Sequence, residues 1–185
     1  MLGHFRTAAL WGAAATVIVL AACASLAPSA GIEGATDSLT LAQSKSPVQL
    51  MRNEAASRLP SIVLRDVADT TDTSIACSTA DADPEGRARS WTSGLMVHVN
   101  NSRAASVPIV IRDLTDSFLE QDWQVSEETE SGVTLTNAGS AVIIEFASVP
   151  RGEGEAASIS ITTTGPCVLT DGAESDEVKD LEGDL

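Results

Sequence analysis

The sequence has little positive charge and few aromatic residues. Tyrosine is absent, Phe and Trp contribute three residues each, and lysine and arginine together number 11 against 26 aspartates and glutamates. The formal net charge is therefore -15 at pH 7, and a phosphate backbone would repel such a chain. We accordingly expect no nucleic-acid partner. The acidic excess favours solubility, with a cationic partner as the second option.

Recognisable catalytic motifs are also missing. The sequence has no Gly-x-Ser-x-Gly motif for a nucleophile elbow, no Ser-x-x-Lys motif and no glycine-rich phosphate loop. A Ser–His–acid site in the folded domain would need His98, but the alternation of side chains around it predicts that it faces solvent. We therefore predict no catalytic residue, no metal ligand and no cofactor.

One apolar run lies near the start of the chain. Ala8–Leu20 contains only apolar or small uncharged residues. It falls short of the ~20 residues that a spanning helix needs, and it fits the central region of a signal peptide. The run leads into Leu20-Ala21-Ala22-Cys23, which resembles the lipobox of bacterial lipoproteins.

The lipobox resemblance implies a defined maturation. A diacylglyceryl group would be attached to the Cys23 thiol, and the signal peptide would be cut between Ala22 and Cys23. Two acyl chains anchor a protein stably, whereas one binds only marginally. We expect a protein on the extracytoplasmic face of the cell membrane, anchored through Cys23. An uncleaved signal anchor is the alternative, although Ser25, Pro28 and Gly31 make the following residues a poor helix.

The chain has three cysteines, which is an odd number for an exported protein. Lipidation of Cys23 leaves Cys77 and Cys167 as a pair in an oxidising compartment. Closing a loop of about 90 residues stabilises a fold by up to ~4.6 kcal/mol in the chain-entropy treatment. The sequence therefore predicts a disulfide between Cys77 and Cys167, with two unpaired buried thiols as the alternative.

Composition divides the chain into four segments. Residues 1–22 read as the signal peptide, and residues 23–45, rich in Ala, Ser, Gly and Pro, as the lipidated N-terminus and a flexible tether. Residues 46–170 are expected to form a single α+β domain. Residues 171–185 hold seven acidic residues and one lysine, which predicts a disordered, solvated tail. Binding of cations or a basic partner is the other function open to this tail.

Two helices are predicted in the domain. Ser46-Pro47 is a favourable N-terminus for the first, which should end near Leu59, before Pro60. Ser106 should cap the second helix. Its apolar residues recur at spacings of four, three and four, which predicts one stripe that covers a sheet. These residues are Val107, Ile111, Leu114 and Phe118.

Short apolar or alternating segments predict the strands. They lie at residues 62–67, 74–78, 91–99, 123–125, 133–135, 141–146 and 159–161. Short connections favour antiparallel pairing, so we predict an α+β, two-layer fold with one antiparallel sheet and about two helices on one face. This layout, with its lipobox and its closing Gly165-Pro166-Cys167, is similar to that of small actinobacterial lipoproteins. The resemblance is one of arrangement and implies no activity.

Two further features have a structural interpretation. The stretch Asp81–Gly86 resembles the first half of an EF-hand calcium loop, but Thr92 stands where the loop needs a glutamate, so a solvated turn is predicted. Trp91 and Trp123 each begin a strand. In a chain with so few aromatic residues, they are expected to form part of the core.

The function expected from these features is a membrane-anchored, non-catalytic module that binds a ligand or protein partner in the cell envelope or supports an envelope complex. The alternative is a small envelope hydrolase with an active site that the sequence does not identify. Polar side chains converging in a pocket around His98 would favour the hydrolase, and an apolar surface patch would favour binding.

Overall fold

The computed structural model describes residues 35–36, 38–149 and 157–183. All of these residues belong to one compact unit, Gly31–Leu185. The predicted lipidation and cleavage residues, Cys23 and Ala22, lie outside the described residues, as does the predicted signal peptide. Within the described residues, no helix is both long enough and apolar enough to cross a membrane.

The described part of the chain contains three α-helices and seven strands. In chain order these are α1 (Leu41–Ser57), β1 (Leu64–Ala76), β2 (Ala88–Val99), α2 (Val107–Leu119), β3 (Gln124–Glu128), β4 (Gly132–Asn137), β5 (Ser140–Val149), β6 (Ser158–Thr164), β7 (Val168–Leu169) and α3 (Asp176–Gly183). A 3-10 turn at Asn101–Ser106 leads into α2.

The strands form a single antiparallel sheet in the order β1-β2-β6-β5-β4-β3, and β7 pairs with the first residues of β2. Helices α1 and α2 pack on the same face of this sheet and share one apolar core with it. The predicted α+β, two-layer fold with an antiparallel sheet is confirmed.

The apolar periodicities of α2 and β5 identify the core correctly. All four residues of the predicted α2 stripe are buried. In β5, Val142, Ile144 and Phe146 are buried, while Ile143 and Glu145 alternate with them on the exposed face. Trp91 and Trp123 are buried as expected. Phe118 meets Trp123 edge-on, with ring centroids 5.6 Å apart.

The predicted start of α1 needs correction. The helix begins at Leu41, because Thr40 and Gln43 form a capping box in which each side chain accepts a hydrogen bond from the other's backbone N–H, at 3.2 and 3.0 Å. Ser46 and Gln49 have the same spacing and misled the prediction. The earlier cap buries Leu41, so part of the segment expected to be a tether belongs to the fold.

The two short strands predicted at 62–67 and 74–78 are one continuous strand, β1. Its central residues, Asp69 to Thr71, are exposed because β1 lies at an edge of the sheet. An edge strand does not show the apolar alternation that marks a half-buried strand, so the polar centre was read as a break.

The expected disordered C-terminal tail also needs correction. Residues 176–183 form α3, and Val178 and Leu181 pack in a second apolar cluster with Leu41, Val48 and Trp91. The prediction was based on the net charge of this segment, and its many acidic residues outweigh the short apolar face of α3.

The disulfide between Cys77 and Cys167 is present, with their Cα atoms 6.1 Å apart. Cys77 directly follows β1, and Cys167 directly precedes β7. Thr36 N donates a hydrogen bond to Cys167 O at 2.9 Å, which ties the start of the described chain to the same place. The bridge therefore joins the edge hairpin β1–β2 to the C-terminal end of the domain, as predicted.

Candidate functional site: a groove beside the edge strand

A groove of about 630 Å³ lies between α2 and the β3–β4 hairpin. Its apolar walls come from Ile111 and Leu119 on α2 and from Val125 and Val133 on the hairpin. Pockets of this volume are in the range that holds ligands or side chains of a partner. We call it the α2–β3 groove.

The groove exists because α2 does not cover the edge strand β3. Directly opposed residues of neighbouring strands share a face of the sheet. Val125 is paired with buried Leu135, and Glu128 is paired with buried Val133. Both therefore point to the side of the sheet that the helices cover. Both are nevertheless exposed, since α2 lies over β4 and β5 and leaves β3 beside its flank. On the facing flank of α2, Leu119 is 40% exposed.

The far wall of the groove is a closely packed turn. Thr129 Oγ1 accepts a hydrogen bond from Gly132 N at 3.0 Å, and Ser148 N donates to Ser131 O at 2.6 Å. A Cβ at Gly132 would stand 2.6 Å from Phe146 O, so only glycine permits β4 and β5 to approach here. The groove therefore has a fixed wall on the hairpin side.

The charge around the groove is strongly negative. Its lining includes the carboxylates of Asp116, Glu128 and Glu130 and one guanidinium, that of exposed Arg112. Arg112 Nη2 lies 3.5 Å from Asp113 Oδ1, and both side chains are exposed. Between Arg112 and Arg151 the sequence holds eight acidic residues and no Lys, Arg or His. The helix and hairpin that form the groove thus carry an uncompensated negative charge.

Neither family models nor curated proteins nor solved structures match this chain. The candidate site therefore rests on the geometry of this chain alone.

His98, the residue that the hydrolase alternative requires, lies elsewhere. It alternates with buried Val97 and Val99 and is on the sheet face opposite the helices, as predicted. Its Nδ1 is 2.6 Å from Asp66 Oδ1 on β1 and 3.1 Å from Arg65 Nη2. The hydrogen bond from Arg65 holds the pKa of Asp66 below its ordinary value.

The predicted turn at Asp81–Gly86 is only partly solvated. Asp83 is buried, and its Oδ2 accepts a hydrogen bond from Ala88 N at 2.8 Å, where β2 begins. That bond is the main reason why the pKa of Asp83 lies below its ordinary value. In the described residues no cluster of three His, Cys, Asp or Glu side chains is placed to hold a metal ion.

Two other acidic residues stabilise the fold. Asp72 accepts hydrogen bonds from Gln49 and Trp91 and forms a buried ion pair with Arg52 at 2.8 Å, which ties α1 to the sheet. Burial acts to raise the pKa of Asp72, but the hydrogen bonds outweigh it and the pKa lies below its ordinary 3.8. Glu182 of α3 accepts hydrogen bonds from the backbone N and the Oγ of Ser74.

Sequence reasoning missed the groove, although one signal for it was present. Glu127, Glu128 and Glu130 are clustered acidic residues of the kind that discourages pairing at a strand edge, and β3 is an exposed edge strand. The absence of basic residues between Arg112 and Arg151 indicated a negatively charged side of the domain. The apolar walls were not predictable, because they depend on where α2 crosses the sheet.

Proposed function

We propose that this protein is a lipid-anchored, extracytoplasmic binding module. It is held to the cell membrane through Cys23, and a ligand or protein partner from the cell envelope occupies the α2–β3 groove. The observation that carries the binding role is the groove itself, in which exposed apolar side chains of α2 and β3 lie beside three carboxylates and one guanidinium. Concave apolar surfaces with a polar rim are typical binding sites.

Three features that agree with one another support the proposed location. The Leu20-Ala21-Ala22-Cys23 sequence has the form of a lipobox. Cys77 and Cys167 form a disulfide, and disulfides persist in oxidising compartments outside the cytosol. The third feature is the odd number of cysteines, since lipidation of Cys23 would leave no thiol free.

The chemistry that lines the groove supports a binding role. Its polar groups are carboxylates, threonine and serine hydroxyls and one arginine, without His, Cys or Lys. Asp116, Glu128 and Glu130 are all exposed to water. Such groups select a ligand by charge and hydrogen bonding, and the apolar walls supply affinity through buried area.

Site-specific photo-cross-linking in intact cells tests this proposal. A photoreactive amino acid replaces Val125 or Leu119 in the groove, and the matched controls replace Leu50 or Ile62, which are exposed apolar residues outside it. We expect a discrete adduct from the groove positions only. Equal labelling from all four positions, or none from the groove, would refute the groove as the binding site.

The hydrolase alternative is favoured by one observation. Asp66, His98 and Ser158 are direct neighbours on three adjacent strands, and the Asp66–His98 contact has the orientation that a general-base histidine needs. The side chains of His98 and Asp66 are 31% and 48% exposed, on the open face of the sheet. Hydrolysis of p-nitrophenyl esters by the full chain and by His98→Gln tests it, since only a catalytic His98 makes the rates differ.

A further inference from the structure

The α2–β3 groove is elongated. Pro108 and Leu119 both line it, and eleven residues of α-helix separate them by about 16 Å. An extended peptide covers that length with about five residues. The shape fits a short stretch of polypeptide better than a compact ligand.

The groove is open on its outer side. Strand β3 is the last strand of the sheet and pairs only with β4 among the described residues. All five of its residues are exposed. A chain segment that enters from this side meets Val125 and Leu119 first and does not have to displace any described element.

The charge of the groove selects the sign of its occupant. Glu128 and Glu130 stand at the hairpin side, and Asp116 stands at the helix side. Arg112 also lines the helix side, but Asp113 lies 3.5 Å from it and the carboxylates outnumber it. The groove therefore disfavours an acidic segment, whereas a basic side chain finds a carboxylate at either wall. The same charge opposes a second copy of this chain, because two β3 edges would bring their glutamates together.

We propose that the α2–β3 groove binds a short extended segment of another protein in which basic residues flank apolar ones. The apolar side chains lie between Leu119 and Val125, and the basic side chains reach Asp116, Glu128 and Glu130. This inference rests on the proposed binding function and specifies the chemistry of its partner. Electrostatic attraction by the acidic side of the domain speeds the encounter, and burial of the apolar residues slows release.

Selection from a random heptapeptide phage library tests the inference. The bait is the full chain in detergent micelles, and a parallel selection uses the double variant Glu128→Lys, Glu130→Lys. Both residues are exposed, so the variant keeps the core intact, and the burial of Trp123 beside β3 allows tryptophan fluorescence to verify folding. Glu145→Lys is the control, since it makes one Glu→Lys change, half the charge change of the double variant, on β5 on the opposite face of the sheet.

The expected result is enrichment of peptides that combine Lys or Arg with large apolar residues. Their affinity should fall about tenfold in the double variant, which replaces two attractive contacts by repulsive ones, and should change little in Glu145→Lys. It should also fall as salt is raised.

Three outcomes would overturn the inference. These are enrichment of neutral or acidic peptides, equal binding by the double variant, and no enrichment at all. If any of them occurs while Val125 still gives a specific cross-link in cells, the groove binds a partner of different chemistry. If the cross-link also fails, the proposed binding function fails with it.

Discussion

Val125 of β3 is the direct cross-strand partner of Leu135 of β4, yet Val125 is 42% exposed and Leu135 is fully buried. The two side chains share one face of the sheet, so the difference in their exposure arises from what packs over that face. Helix α2, with Phe118, packs on β4 and β5 and meets β3 only along its flank. One face of a single sheet therefore provides core at β4 and an exposed apolar surface, the proposed binding surface, at β3.

Substitutions at these two positions should have opposite consequences. Leu135→Ala should lower the free energy of unfolding by about 2–5 kcal/mol, because it leaves a cavity in the core. Val125→Ala should cost less than about 1 kcal/mol, since the side chain is largely exposed, but should weaken peptide binding. Urea unfolding and binding assays on both variants test this, and a large loss of stability in Val125→Ala would contradict it.

The disulfide should contribute strongly to stability. The double variant Cys77→Ser, Cys167→Ser should lose about 2–5 kcal/mol, because it releases the constraint between the edge hairpin and the C-terminal end of the domain. Thermal unfolding of the full chain, oxidised and reduced, gives the comparison. Reduction of the double variant should have no further effect, and an unchanged Tm in the reduced native chain would show that the bridge is dispensable.

Helix α3 should behave as part of the fold. Val178 is buried against the second cluster, and Lys45 Nζ donates a hydrogen bond to Leu181 O at 2.7 Å. Val178→Ala should cost about 1–3 kcal/mol, given the value of burying an aliphatic side chain. Lys179→Ala, whose side chain is 58% exposed, is the control and should be near neutral. Equal stabilities in a denaturant titration would mean that α3 is not docked in solution.

Acid should destabilise the protein through Asp72 and Glu182. Burial acts to raise both pKa values, but hydrogen bonds outweigh it, so they lie below the ordinary 3.8 and 4.5 in the folded state. A depressed folded pKa gives stabilisation that is complete above the ordinary pKa and is lost as the pH falls through the folded pKa. We expect the contribution of these two groups to be constant from pH 7 to about pH 5 and to fall below that.

The variant Asp72→Asn isolates this effect. It should be less stable than the native chain at pH 7 by about 3–5 kcal/mol, because it leaves Arg52 without its buried partner. As the pH falls below about 4 the two chains should begin to converge, and they should meet only below the folded pKa of Asp72, where protonation removes the same charge from the native chain. Parallel curves across the whole range would show that Asp72 does not titrate with unfolding.

Lipidation predicts a clear effect of the first cysteine. Cys23→Ala should remove the protein from the detergent-extracted membrane fraction. The mass of its N-terminal region should lack the contribution of the diacylglyceryl group. Ser25→Ala is the control and should remain membrane-bound. If Cys23→Ala stays on the membrane with unchanged mass, the anchor is not a lipid on this residue.

Strong local periodicity made much of the fold predictable. The apolar stripe of α2 and the alternation of β5 assign residues to the buried face from local sequence alone. The odd number of cysteines predicted the pairing of Cys77 with Cys167. The start of α1 was ambiguous because two capping boxes compete, and the burial of Leu41 decides between them. The polar centre of edge strand β1, which joins the two predicted strands, and the whole of helix α3 were missed because polar residues predominate in both segments. Their few buried contacts are long-range and leave little periodicity in the sequence.

The most direct test of the binding role is the photo-cross-link from Val125 in living cells, compared with Ile143. Both are exposed apolar strand residues, at 42% and 40%, but Ile143 lies on the face of the sheet away from the helices. We expect a discrete adduct from Val125, loss of it in the Glu128→Lys, Glu130→Lys background, and no adduct from Ile143. An adduct from Ile143 alone would contradict this expectation and place the binding surface on the open face of the sheet.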